Sequence, residues 1–385
     1  MKKNRIPLCD VTVSPAARRE VAQALRDGWL STGPRVRKFE RAALAKLGAK
    51  YGVAVNSATS ALFLALKGMG VGPADEVITT PFTFVATVET ILHCGAKPVL
   101  VDIDPRTFTM DPASLEKKIS KKTRLVVPVD IAGYPCDYEG IKRVCRKYKT
   151  PILSDSAHAF GSAYHGKSID RLVDASVYSF YSTKNLTMGE GGMIVSEDRK
   201  LIERIRLLSR HGMSSNAYQR TGTGGWEYDI EILGYKANLS DIQAAIGIGQ
   251  LNRFDIDQAR RKAVARQYQS NLEDSGEYIE LPISGTDRTH TWHLYIIKLR
   301  LDRLKISRNQ FISEMNLRGI ECGVHYKPVF EMSYYRKLGM KGSATPVAAS
   351  VWKQVVSLPM YAGLTRTQID RVCTAVSELI RKNAR

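Results

Sequence analysis

From Val53 to Phe180, short apolar runs alternate with segments whose apolar positions recur every three or four residues. The first pattern predicts buried strands and the second amphipathic helices. Strands are expected at Val53–Asn56, Glu76–Thr80, Lys97–Ile103, Arg124–Val129, a run ending near Asp155, and Ala175–Phe180. Helices are expected between them, over Ser57–Lys67, Phe84–Cys94, from Asp111 onward, and over Tyr138–Tyr148. Two helices precede this set. One covers residues 14–27, with Ser14 as cap and Pro15 at the first position, and one runs through Phe39 to about Leu47. Alternating strands and helices predict an α/β domain with a largely parallel sheet. Nearly continuous apolar strands fit a sheet covered on both faces.

Past residue 240 the pattern changes. Ser240-Asp-Ile-Gln243 is a capping box opening a long helical region that continues past Arg260. A second, smaller α/β region follows. Its strand-like run is Trp292–Leu299, its helices are Arg308–Arg318 and Arg366–Lys382, and Val324–Pro328 reads as a strand end. The chain therefore divides into a large domain, residues 1–250, and a smaller C-terminal domain, residues 251–385, entered through the long helix.

Composition narrows the function classes. A chain of 385 residues, 44% hydrophobic, can bury a large core. No run approaches the roughly 20 apolar residues of a membrane span. The basic N-terminus lacks an apolar signal core, so a cytoplasmic protein is expected. Six cysteines, at 9, 94, 136, 145, 322 and 373, form no Cys-x-x-Cys pair and suggest neither a metal site nor a disulfide framework. The net charge of +19 is spread along the chain without a basic tail. It fits a solvated surface, or a field attracting an anionic small substrate, better than nucleic-acid binding.

Candidate chemistry collects at the predicted strand ends, where ligands of open α/β sheets bind. Asn56-Ser-Ala-Thr-Ser60 opens a helix, and free N–H groups with hydroxyls there suit a phosphate. Phe84 follows the second strand, and its ring could stack on a flat cofactor. Asp155 ends an apolar strand and needs a partner. Lys184 follows Tyr178-Ser-Phe-Tyr-Ser-Thr and precedes Gly189-Glu-Gly-Gly192. Each alone has a plainer reading: a helix cap, a core phenylalanine, a carboxylate paired with arginine, a solvated lysine. Together they suggest pyridoxal phosphate (PLP), with Lys184 forming the Schiff base and Asp155 keeping the pyridine nitrogen protonated.

The ordered set resembles the DegT/DnrJ/EryC1/StrS family of PLP-dependent nucleotide-sugar aminotransferases. The likeness runs from Gly28-Trp-Leu-Ser-Thr-Gly-Pro34 through Asp155-Ser-Ala-His158, Ser179–Asn185 and Gly234–Gly247 to Gly323-Val-His-Tyr-Lys-Pro328. The resemblance implies PLP-dependent transferase fold type I, like aspartate aminotransferase. It implies Lys184 as the covalent lysine, Asp155 on the pyridine nitrogen, Phe84 on the ring, and Ser57, Ala58 and Ser179 at the phosphate. His158 is implied near the cofactor. Asn238 matches an asparagine reaching the phosphate from the other subunit, so a homodimer with shared active sites is expected. The expected reaction moves an amino group from L-glutamate to a nucleotide-linked keto-sugar, a 4-keto sugar first, feeding polysaccharide, glycan or antibiotic sugars. Arg210, His211, Trp226, His325 and Tyr326 are candidates for the sugar substrate, and residues 214–227 for a loop over the site. Rival readings are a 3-keto sugar or cyclitol ketone as acceptor, or a PLP-binding sensor without turnover. A dinucleotide oxidoreductase is disfavoured, because no Gly-x-Gly-x-x-Gly follows the first strand.

Overall fold

The computed structural model describes residues 5–214 and 227–385. Seven strands build the large sheet: β1 (Tyr51–Val55), β2 (Glu76–Thr79), β3 (Lys97–Leu100), β4 (Thr123–Val127), β5 (Leu153–Asp155), β6 (Ala175–Ser179) and β7 (Gly192–Ser196). β2 lies parallel between β3 and β4. Parallel bridges Val126–Ile152 and Val129–Asp155 carry the sheet from β4 to β5. β5 pairs parallel with β6, and β7 then runs antiparallel between β6 and β1. The order is 3-2-4-5-6-7-1. Because β7 alone is reversed, the carboxyl ends of β1, β5 and β6 open on the same edge as its start.

β7 was not among the strands expected from the sequence. Its first residue is Gly192. It sits in register between Val55 and Ser179. A Cβ at Gly192 would lie 2.5 Å from the backbone carbonyl of Ser57. Only glycine lets β7 pass that close to the turn after β1.

The long helix expected after Ser240 is two helices, Asp241–Leu251 and Phe254–Leu272. Arg253, at φ −111° and ψ 1°, leaves helical geometry between them. The first helix is tied to the N-terminal helix Pro15–Asp27: the Ser14 N–H donates to Gln250 Oε1 and the Ser14 hydroxyl to the Gly249 carbonyl. The second places Val264, Tyr268 and Leu272 in a C-terminal core with Phe311, Val372 and Leu379. That core covers an antiparallel sheet of Ile279–Glu280, Tyr295–Leu299 and Val355–Leu358. Ile6 also belongs to it, so the first described residues join the C-terminal half. We propose the domain division at the break near residue 250, with this N-terminal strap crossing it. The expected strand end at Val324–Pro328 is irregular chain, paired only where Gly323 bridges Ser357.

Candidate active site

One cavity of about 590 Å³ opens at the carboxyl edge of the large sheet. Ser57, Ala58, Phe84, Asp155, His158, Ser179, Lys184, His325 and Tyr326 all line it.

Ser57 ends the turn after β1 and caps helix Ala58–Gly68, its hydroxyl accepting from the Ser60 N–H. The first N–H groups of that helix therefore face the cavity edge beside Ser179, the last residue of β6. A helix N-terminus with two hydroxyls is a suitable cradle for a phosphate.

Asp155 is only 4% exposed. Thr87 donates its hydroxyl to Oδ2 at 2.7 Å, and the Ala157 N–H donates to Oδ1 at 3.2 Å. Burial nevertheless raises the carboxyl above its ordinary proton affinity. A cationic ring nitrogen is the partner such a group lacks. Phe84, by contrast, is 56% exposed in spite of its apolar ring. A flat aromatic cofactor would cover it. These two residues, with the Ser57–Ser179 cradle, fit PLP on the chemistry of the site alone.

Lys184 lies half-buried in the cavity wall. Burial lowers its pKa to about 8, partly offset by the charge of Asp155. Three histidines surround it. The Ala132 N–H donates to His158 Nδ1 at 3.1 Å, which places the His158 proton on Nε2. That Nε2–H faces the Tyr326 hydroxyl at 3.1 Å. Burial, then the charges of Lys184 and His325, holds His158 well below the usual imidazole range. His325 shares a 2.8 Å bond between Nδ1 and the Ser357 hydroxyl, and burial with Lys184 pushes it down to about 4. His293 packs 4.4 Å from the His158 ring centre and is neutral for the same reason.

The sequence reading missed His293, Thr87 and Cys9, all of which line the cavity. His293 had a signal, a polar side chain inside the apolar run Trp292–Leu299. Thr87 also had one, being three residues after Phe84 in the helix expected from the sequence, although the helix itself begins at Ala86. Cys9 had none, since it arrives on the N-terminal strap. Asn238 does not line the cavity of its own chain: its backbone bridges Val55, and its amide donates to the Thr32 hydroxyl at 2.7 Å. Arg210 and His211 are not brought to the cavity either. Arg210 bridges Lys236 and donates to the Arg206 carbonyl. Trp226 and residues 215–226 of the expected loop lie outside the described residues.

The DegT/DnrJ/EryC1/StrS aminotransferase family profile matches residues 13–377. The chain belongs to this family. The spore coat polysaccharide biosynthesis protein SpsC of Bacillus subtilis is 42% identical over 365 residues, 94% of each chain. Among solved structures, Spr1654 from Streptococcus pneumoniae superposes at a TM-score of 0.93, with 33% identity over 98% of this chain and 99% of that one. It has been solved in PMP and PLP forms. Helicobacter pylori PseC, an aminotransferase involved in the biosynthesis of pseudoaminic acid, superposes at 0.91 with 29% identity, covering 98% and 100%. The chain is thus a PLP-dependent sugar aminotransferase of fold type I, with the α/β architecture and mainly parallel sheet expected from its sequence.

Proposed function

We propose that this aminotransferase moves an amino group from L-glutamate to a nucleotide-linked 4-keto sugar, for polysaccharide or glycan assembly. The observation carrying the reading is that Lys184, Asp155 and Phe84 line one cavity. The name of SpsC, a spore coat polysaccharide biosynthesis protein, supports a sugar destined for a polysaccharide.

When bound, PLP supplies an electron sink for the charge left on the amino donor's α-carbon. The protein does the rest. Asp155 holds the ring nitrogen protonated, and Phe84 covers one ring face. Ser57, the Ala58 N–H and Ser179 anchor the phosphate. Lys184 Nζ, once released, takes the proton from the donor's α-carbon and returns one in the second half-reaction. Its pKa near 8 suits both tasks at neutral pH. Neutral His158, His293 and His325 add polar contacts without adding charge.

We also propose a homodimer in which Asn238 serves the partner's phosphate site. Tyr228, Ile230 and Leu233 lie exposed on the segment leading to Asn238, with Leu233 89% exposed. Such a patch supports an interface there. The Arg210–Lys236 bridge joins Arg210 and His211 to the same segment that leads to Asn238. We place the enzyme in the cytoplasm, supported by six cysteines without a disulfide. No helix among the described residues is long and apolar enough to cross a membrane.

Absorbance tests the chemistry. Purified protein given PLP should show the visible-edge band of a lysine-bound cofactor, and glutamate should bleach it. Nucleotide-linked 4-keto sugars should restore the band faster than 3-keto sugars or cyclitol ketones. Restoration by those rivals alone would overturn the substrate reading. A band that no amino donor bleaches would point to a sensor.

A further inference from the structure

β5 is only three residues long, yet Asp155 at its end must hold a carboxylate in a fixed place. Behind it, outside the cavity, lies a second carboxylate, Asp130, with no exposed surface. Among the described residues, four groups donate to Asp130, none of them a cation. The Cys136 N–H reaches Oδ1 at 2.8 Å and Tyr138 Oη reaches Oδ2 at 2.8 Å. Ser154 Oγ and Ser156 Oγ reach Oδ2 at 3.0 and 2.7 Å. Ser154 and Ser156 are the residues immediately before and after Asp155. The backbone completes the grip: the Asp130 N–H donates to the Asp155 carbonyl at 3.0 Å, and the Asp155 N–H donates to the Pro128 carbonyl at 2.9 Å.

We propose that Asp130 is a positioning residue for the cofactor. Its buried carboxylate clamps the chain on both sides of Asp155 and so fixes the Asp155 carboxylate against the pyridine nitrogen. A carboxylate without a cation is costly to bury, and a core built only for packing would be at least as stable with apolar residues there. The arrangement does what a catalytic group needs, because its geometry must be held to about 0.5 Å by supporting hydrogen bonds. Asp130 also acts through charge. After burial itself, its field is among the influences that raise the Asp155 carboxyl.

The inference rests on the proposed pairing of Asp155 with the ring nitrogen, and the experiment separates the two. Holoenzymes of the wild type, Asp130→Asn, Ser156→Ala and Asp155→Asn are loaded with PLP labelled with 15N in the ring. The nitrogen chemical shift reports protonation, PLP titration reports affinity, and bleaching by glutamate gives kcat and KM for the first half-reaction. Asp130→Asn should move the 15N shift toward that of Asp155→Asn. It should weaken PLP binding and lower kcat by about tenfold each, with KM for glutamate within about twofold. A merely structural role would leave the 15N shift in place. Ser156→Ala, which removes one tether, should move all three readouts the same way by about two- to threefold, and it decides the matter if Asp130→Asn does not fold. The proposal is overturned if Asp155→Asn shifts the nitrogen while the Asp130 and Ser156 variants keep the wild-type signal. If Asp155→Asn itself leaves the signal unchanged, the pairing falls and the clamp with it.

Discussion

Burial sets the proton on Lys184. The amine must be neutral to attack the PLP aldehyde, and at a pKa of about 8 it is neutral in a fraction of molecules that grows about tenfold per pH unit below that point. Attachment of PLP to the apoprotein should therefore accelerate as pH rises through about 8 and level off above it. The histidines in the cavity are already neutral there, and burial keeps the Cys9 thiol protonated, so one titration should dominate. A stopped-flow profile that is flat, or that bends near the ordinary lysine value, would contradict this account. Asp155→Asn removes the negative charge that partly restores the lysine's proton affinity, so its bend should fall at lower pH. Lys184→Ala should abolish the visible-edge band. A variant that keeps it would mean that another lysine carries the cofactor. The order of motifs made Lys184 and Asp155 legible. The lowered pKa of the lysine was not legible, because desolvation depends on walls supplied by Cys9, His293 and His325, remote in sequence.

Helix ends show what local sequence can and cannot reveal. Ser14 and Ser240 cap their own helices, and both could be read directly because donor and acceptor lie within three residues. Helix Pro34–Leu47 has no such residue, since its cap position is Gly33. The missing acceptor comes from Asp241, fully buried in the first turn of another helix. Its carboxylate accepts from the Gly33, Arg35 and Val36 N–H groups at 2.9–3.1 Å. No local pattern announces a cap from 200 residues away. Asp241→Ala should leave three buried donors unpaired and lower stability by about 2–3 kcal/mol. Denaturant melts should then show a lower midpoint with an unchanged slope. A loss under about 0.5 kcal/mol would mean that water replaces the carboxylate. β7 escaped the sequence reading for a similar reason. No local pattern marks Gly192 as a strand residue, and its place shows only once β1 and Ser57 are set beside it.

At the scale of the whole molecule, the cavity draws on the N-terminal strap, the large sheet and the C-terminal half, while Asn238 does not line it and gives its amide to Thr32. The proposed dimer gives Asn238 its task, and it makes a sharp prediction about mixed chains. Asn238→Ala alone should weaken PLP binding by about tenfold, and Lys184→Ala alone should be inactive. Co-expressed, the two variants form heterodimers in which one site joins the intact Lys184 of one chain to the intact Asn238 of the other. The second site carries both defects. Random pairing makes half the dimers mixed, so activity at limiting PLP should recover to about a quarter of wild type. If Asn238 served its own chain, neither site of the mixed dimer would be whole, and mixing would restore nothing. Leu233→Asp, placed on the exposed patch, should shift the protein toward monomers in sedimentation and abolish the recovery. Recovery that survives in a monomeric Leu233→Asp background would rule out a shared site.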